Sequence, residues 1–160
     1  MKGILFALFT TLLSVGCWED AREETVQVEA QDESVAPFGD KYTIPDLDLT
    51  MIWVEPGTFM MGSPETEKGR TGNETQRKVT LTHGFYLGKY ELTQAQWEKV
   101  MGSDPSRFKG TDRPVENVSW NDAVAFCKKL TEMEKKLGRV PKGMAYQLPS
   151  EAQWEYACRA

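Results

Sequence analysis

The fold turns on the stretch Tyr146-Gln147-Leu148-Pro149-Ser150-Glu151-Ala152-Gln153-Trp154-Glu155-Tyr156-Ala157-Cys158-Arg159. After Pro149, Ser150-Glu151-Ala152-Gln153 forms a capping box. The Ser hydroxyl can accept from the Gln153 N–H while the Gln153 side chain reaches back to the start of the helix. Trp154, Ala157 and Cys158 then begin an apolar stripe at helical spacing. No Gly or Asn stop signal follows Arg159, so the stretch reads either as a short frayed terminal helix or as a helix inside a longer domain.

Two more helices lie upstream. Ser119 is placed to cap one, with Asp122 at the third position favouring its positive end. Trp120, Ala123, Val124, Phe126, Cys127, Leu130, Met133 and Leu137 recur every three or four residues, a core-facing stripe. Thr93-Gln94-Ala95-Gln96 is a second capping box, opening a helix that runs to about Met101 and stops at Gly102. Ahead of the helices the signals change to short strands. Met51-Ile52-Trp53-Val54 and Thr58-Phe59-Met60-Met61 flank Pro56-Gly57 and read as a hairpin. Val79-Thr80-Leu81 and Phe85-Tyr86-Leu87 flank His83-Gly84, and polar residues 63–78 read as an exposed loop. The expectation is an α+β domain of short strands, long loops and three helices. The second and third helices present more apolar surface than the chain offers to cover.

The N-terminal end differs. Lys2, the apolar run Ile4–Leu13 and the small residues Ser14 and Gly16 read as an export signal over residues 1–17, too short at 1.5 Å per residue to span a bilayer. Cys17 after that run resembles the lipidated Cys of bacterial lipoproteins, although Ser14-Val15-Gly16 also suits an ordinary signal peptidase. The implied setting is a membrane-anchored protein of the periplasm or cell surface, or a secreted one. Residues 18–46 read as an acidic flexible linker: residues 18–40 hold Glu19, Asp20, Glu23, Glu24, Glu29, Asp32, Glu33 and Asp40 against Arg22 alone. The net charge of −5 therefore belongs largely to the tail. It argues against nucleic acid as a partner. His83 is the sole His, which excludes two-His metal sites.

From Trp53 onward the chain resembles the formylglycine-generating enzyme, or sulfatase-modifying factor, family. Four blocks carry the resemblance in the family's order: Val54–Ser63, Val79–Thr93, Asn117–Ala123 with Phe126-Cys127, and Tyr146–Arg159. Gln147, Ser150 and Gln153 stand where the family more often has Arg, Thr and Glu. The resemblance implies an irregular C-type-lectin-like fold, of which residues 47–160 would be the N-terminal half. It implies oxidation of a substrate thiol by O₂, with copper or iron and calcium held by the C-terminal half, so this chain has no expected catalytic or metal residues of its own. The implied partner is a Cys-bearing sulfatase peptide. A non-catalytic, lectin-like surface-binding module is the alternative. Cys127 and Cys158 occupy positions where some members have half-cystines, with buried free thiols as the other reading. Glu74 and Trp120 are candidates for a groove wall, although core packing suits Trp120 and a solvated loop suits Glu74.

Overall fold

The structure is a computed structural model that describes residues 7–10 and 36–159. Its strands are β1 (Ala7–Thr10), β2 (Lys41–Ile44), β3 (Leu49–Val54), β4 (Gly57–Met61), β5 (Arg77–Leu81), β6 (Phe85–Gly88) and β7 (Met144–Gln147). Its helices are α1 (Gln94–Met101), α2 (Trp120–Lys136) and α3 (Glu151–Arg159). No helix among the described residues is long and apolar enough to cross a membrane.

All three helices begin where their caps place them. Thr93 and Gln96 form a reciprocal box, as do Ser119 and Asp122. Ser150 Oγ accepts from Gln153 N at 3.2 Å, and Ser150 N donates to Gln153 Oε1 at 2.8 Å. Gly102 ends α1 in the left-handed region at φ 87°, a conformation that a residue without Cβ adopts at little cost.

The strands pair differently from the sequence expectation. Five form an antiparallel sheet in the order β2-β3-β6-β1-β7, and β4-β5 form a separate two-stranded ribbon. The Pro56-Gly57 turn therefore does not close a hairpin but carries the chain from one sheet to the other. β3 takes β2 and β6 as neighbours, with Trp53 opposite Tyr86. β4 instead pairs with β5 from Gly57↔Leu81 to Met61↔Arg77, across the long loop. A Cβ on Gly57 would collide with the Tyr156 hydroxyl, so the turn passes tightly under α3.

The folded body also begins earlier than Leu47. Ile44 is fully buried, and Phe38 stacks on Tyr42 with ring centres 4.4 Å apart. Tyr86 accepts from the Phe38 N–H at 2.9 Å and donates to Gly39 O at 2.7 Å. Residues 36–46 thus belong to the domain: their apolar side chains, though sparse in sequence, meet one buried tyrosine. β1 lies within the apolar run read as an export signal.

The main core lies between the larger sheet and α1 and α2. Trp97 of α1 stacks on Phe126 of α2, with centroids 5.1 Å apart and planes 16° from parallel. Ile44, Met51, Tyr86 and Leu130 complete the centre. Gln94 holds the loop beyond α1 in place: its Nε2 donates to Phe108 O and Pro114 O, and its Oε1 accepts from Gly110 N. Buried Glu134 accepts from Arg139, which also pairs with Asp46. That network ties the end of α2 to the β2–β3 turn. The α3 stripe finds less cover. Tyr156 and Ala157 pack on Phe85 and Leu87, yet no residue of α3 is fully buried.

Candidate functional site

An apolar groove of about 520 Å³ lies between α2 and β7. Helical geometry explains it. At roughly 100° per residue, Ala123, Phe126, Cys127, Leu130 and Glu134 cluster about one line, while Trp120 and Val124 fall about 60° and 100° to one side. Most buried residues of α2 lie on the line, and Thr131, about 80° to the same side as Trp120, is buried as well. Trp120 is 71% exposed. Reading all the apolar residues of α2 as one core-facing stripe therefore places Trp120 wrongly: the apolar arc is wider than the sheet can cover. The flank facing β7 becomes a groove, with Trp120 and Val124 on one wall, Leu148 on the other, and Lys128 and Glu132 at the rim.

Cys127 contributes to the lining from a buried position, and burial pushes its thiol up to about 12. It is neutral at ordinary pH and a poor nucleophile or metal ligand. Thr131 closes the inner end of the groove: its Oγ1 accepts from Tyr146 N at 2.9 Å and donates to Cys127 O at 2.8 Å. Burial also raises the Tyr146 phenol, and nearby Tyr42 and Glu134 add to the effect.

The other candidate residues lie apart. Cys158 is exposed on α3, which corrects its reading as a buried stripe residue, and neither it nor Cys127 is in a disulfide. Glu74 lies in the loop before β5 and is absent from the groove lining. Hydrogen bonds from Ser63 and Thr71 hold its carboxyl below the usual range, and its backbone carbonyl accepts from Ser63 N. These contacts make it a loop-ordering residue. Cys17 lies outside the described residues. Val124 and Leu148 were missed as groove residues, although the angular offset of Val124 from the buried line is readable from spacing alone.

Copper requires an accessible thiolate pair, and Cys127 and Cys158, the cysteines among the described residues, do not provide one. Cys127 is buried and protonated, Cys158 is exposed on another helix, and no group of three or more His, Cys, Asp or Glu among the described residues is arranged to hold a metal. What the groove offers is an apolar wall with polar ends.

An α+β domain with two small sheets, three helices and an open apolar groove is the class of protein defined so far. Residues 43–160 match the sulfatase-modifying factor enzyme 1-like domain, and the chain belongs to that family. It is 36% identical over 132 residues to the chaperone protein LppX of Paenibacillus barcinonensis, covering 67% of this chain and 44% of that one. It is 26% identical over 161 residues to the formylglycine-generating enzyme of Mus musculus, covering 68% and 39%. The structure of PvdO from Pseudomonas aeruginosa shares the fold at 23% identity, with a TM-score of 0.52 over 62% of this chain and 45% of that one. The chain thus spans less than half the length of the relatives it matches.

Proposed function

We propose that the chain is the ligand-seating part of an exported, membrane-anchored protein of this family, and that the groove between α2 and β7 holds an extended polypeptide. Trp120 carries the reading. A tryptophan 71% exposed beside Val124 and Leu148 offers a contiguous apolar wall, and such walls mark interaction sites. Lys128 and Glu132, four apart on α2, present charges of both signs at the rim and suit the polar groups of a peptide. Export and anchoring are supported by Lys2, the run Ile4–Leu13 and Cys17.

In the enzymatic form of this proposal the ligand is a Cys-bearing sulfatase peptide. Oxidation of its thiol by O₂ then resides in the portion of the domain that the chain does not span, together with the copper or iron and the calcium. The similarity to LppX favours a second form, a binding module without turnover, because that relative is named a chaperone. Titration followed by tryptophan fluorescence tests the groove: Trp120→Ala weakens peptide binding at least tenfold, and equal binding by the variant refutes the groove. A sulfatase peptide with Ser in place of Cys separates the forms. The enzymatic form expects a preference for Cys, and the chaperone form expects none. The 160-residue protein with copper and the Cys peptide consumes no O₂ above the control; turnover would put the active site on these residues.

A further inference from the structure

A second pocket, of about 420 Å³, shares no residue with the groove. Three segments distant in sequence meet at the start of α1 to form it. They are the β2–β3 turn with Asp48, the residues after β6 with Tyr90 and Glu91, and the loop after α1 with Asp112 and Pro114. Each is held in place. Gln96 Nε2 donates to Leu47 O at 3.1 Å and to Asp48 O at 3.4 Å. Ala95 N donates to Thr111 O, and Gln94 N donates to Arg113 O. The middle segment runs directly into the Thr93 cap, and Leu92 O accepts from Val115 N. The pocket is therefore preformed.

An inventory of its polar groups points to one sign of ligand. The N–H groups of the first turn of α1 are already taken, by Arg113 O, Thr111 O and Thr93 Oγ1, and the cap N–H by Gln96 Oε1. The helix end has no donor left for an anion. The Thr50 hydroxyl lies 3.4 Å from that of Thr43. What remains is Asp48, Glu91 and Asp112, all exposed at the rim. Among the described residues none of these carboxylates has an ion pair or a side-chain hydrogen bond. No positively charged side chain lines the pocket. Between the carboxylates the surface is apolar, made by Leu49, Pro114 and the Tyr90 ring. Tyr90 is 67% exposed. Its ring already attracts one ammonium, Lys89 Nζ at 5.0 Å from the centroid, as the negative face of an aromatic ring does.

We propose that this pocket receives a lysine side chain from a basic segment of a partner protein. The carboxylates are not arranged to hold a metal ion, so a compact cation does not match them. A lysine does. Its four-carbon stem lies along Leu49, Pro114 and the Tyr90 ring, and its ammonium reaches the rim carboxylates. Exposed ion pairs are individually weak, so a free amine gains little here. A segment with several lysines engages the three carboxylates together, each contact raising the effective concentration of the next. Charge also decides among occupants. Residues 18–40 of the chain itself hold eight acidic residues against one Arg, the wrong sign for this pocket. The pocket and the groove have no residue in common, so the failure of either leaves the other standing.

The test is a titration of the 160-residue chain, followed by backbone amide shifts in NMR spectra, with a capped peptide of three lysines alternating with glycines. Leu49, Glu91 and Asp112 amides should shift and saturate. Raising salt from about 0.02 M to about 0.2 M should weaken binding about tenfold. The same peptide acetylated on every lysine should not bind. Equal binding by the acetylated peptide, or shifts that spread over acidic residues elsewhere without saturating at the pocket, overturns the proposal. Pentylamine tests the source of the ammonium: an affinity equal to that of the peptide would assign the pocket to a small amine and refute a docking role. A salt-sensitive dimer of the chain alone, with the same amides shifted, would assign it to a second copy and refute the partner. Asp48→Asn combined with Asp112→Asn should weaken the peptide about tenfold, and Tyr90→Leu about threefold. Trp120→Ala should leave this titration unchanged, and a loss of binding there would move the lysine into the groove. Unshifted α2 amides show that each variant is folded. Where they shift, the comparison of charged and acetylated peptides on the unaltered chain decides.

Discussion

α2 and α3 begin alike and end differently. Each opens with a Ser at the N-cap in a reciprocal pair with its third residue, and each carries an apolar stripe. α2 buries Ala123, Phe126, Cys127, Leu130, Thr131 and Glu134, whereas α3 buries no residue completely. A cap and a stripe determine where a helix starts and which way it faces. How much it stabilises depends on what stands opposite. α2 meets α1 and the large sheet, whereas α3 meets β4 and one end of β6.

The strongest test of that contrast is a pair of truncations. Phe126 is fully buried and stacked on Trp97, so Phe126→Ala is expected to cost about 3–5 kcal/mol. Trp154 of α3 is only partly buried, and Trp154→Ala should cost about 1 kcal/mol from its lost contacts. Urea denaturation measures both. Equal losses would mean that α3 is as much a part of the core as α2.

Ion pairs repeat the contrast at smaller scale. The Glu134 side chain is 2% exposed and the Arg139 side chain 26%, and Arg139 is held strongly in its charged form by Glu134 and Asp46. Arg139→Met leaves a buried carboxylate without its partner, which should cost about 3 kcal/mol. On α3, Arg159 pairs with Glu155 at 3.0 Å with its side chain 41% exposed. Arg159→Met should change stability by less than about 1 kcal/mol. The same denaturation series compares the two, and a large effect at Arg159 would break the pattern.

These differences also show what could be read from the chain and what could not. Caps are local, so Thr93, Ser119 and Ser150 announce their helices without tertiary information. Strand partners are not local. Nothing in Met51–Met61 distinguishes a hairpin from a crossing between two sheets, because that depends on β5 and β6 arriving from residues 77–88. Trp120 was partly legible: its angular offset from Phe126 and Leu130 can be counted, but the absence of a covering surface cannot. Phe38 and Ile44 were hidden for a similar reason, since an isolated apolar residue in a polar segment gives no sign of the tyrosine that it packs on.

The caps themselves give a smaller test. Ser119→Ala is expected to cost about 1 kcal/mol, because it frees a donor at the start of the helix that leads into the core. Ser150→Ala should cost about half as much if α3 is the more weakly held element. Amide exchange in the first turn of each helix reads the change directly.

The smallest expected effect is one of pH, and it separates the two helices by chemistry rather than by burial. The α2 box uses Asp122, whose carboxyl is held below its ordinary value of 3.8 by hydrogen bonds from Ser119. The α3 box uses Gln153, which does not titrate. A carboxyl with a folded value below its unfolded one contributes stability above the unfolded value and loses it as pH falls through the folded value. First-turn amides of α2 should therefore lose protection as pH drops below about 4, after correction for intrinsic exchange, while those of α3 lose none from their own cap. Asp104 follows the same sign. Lys109 and Ser106 hold it at about 2, so the loop after α1 should loosen between about pH 4 and 2. In Asp122→Asn the acid sensitivity of the α2 turn should disappear while that of the Asp104 loop remains. If the α2 turn still opens with acid in that variant, the pH response comes from loosening of the whole domain and not from the cap.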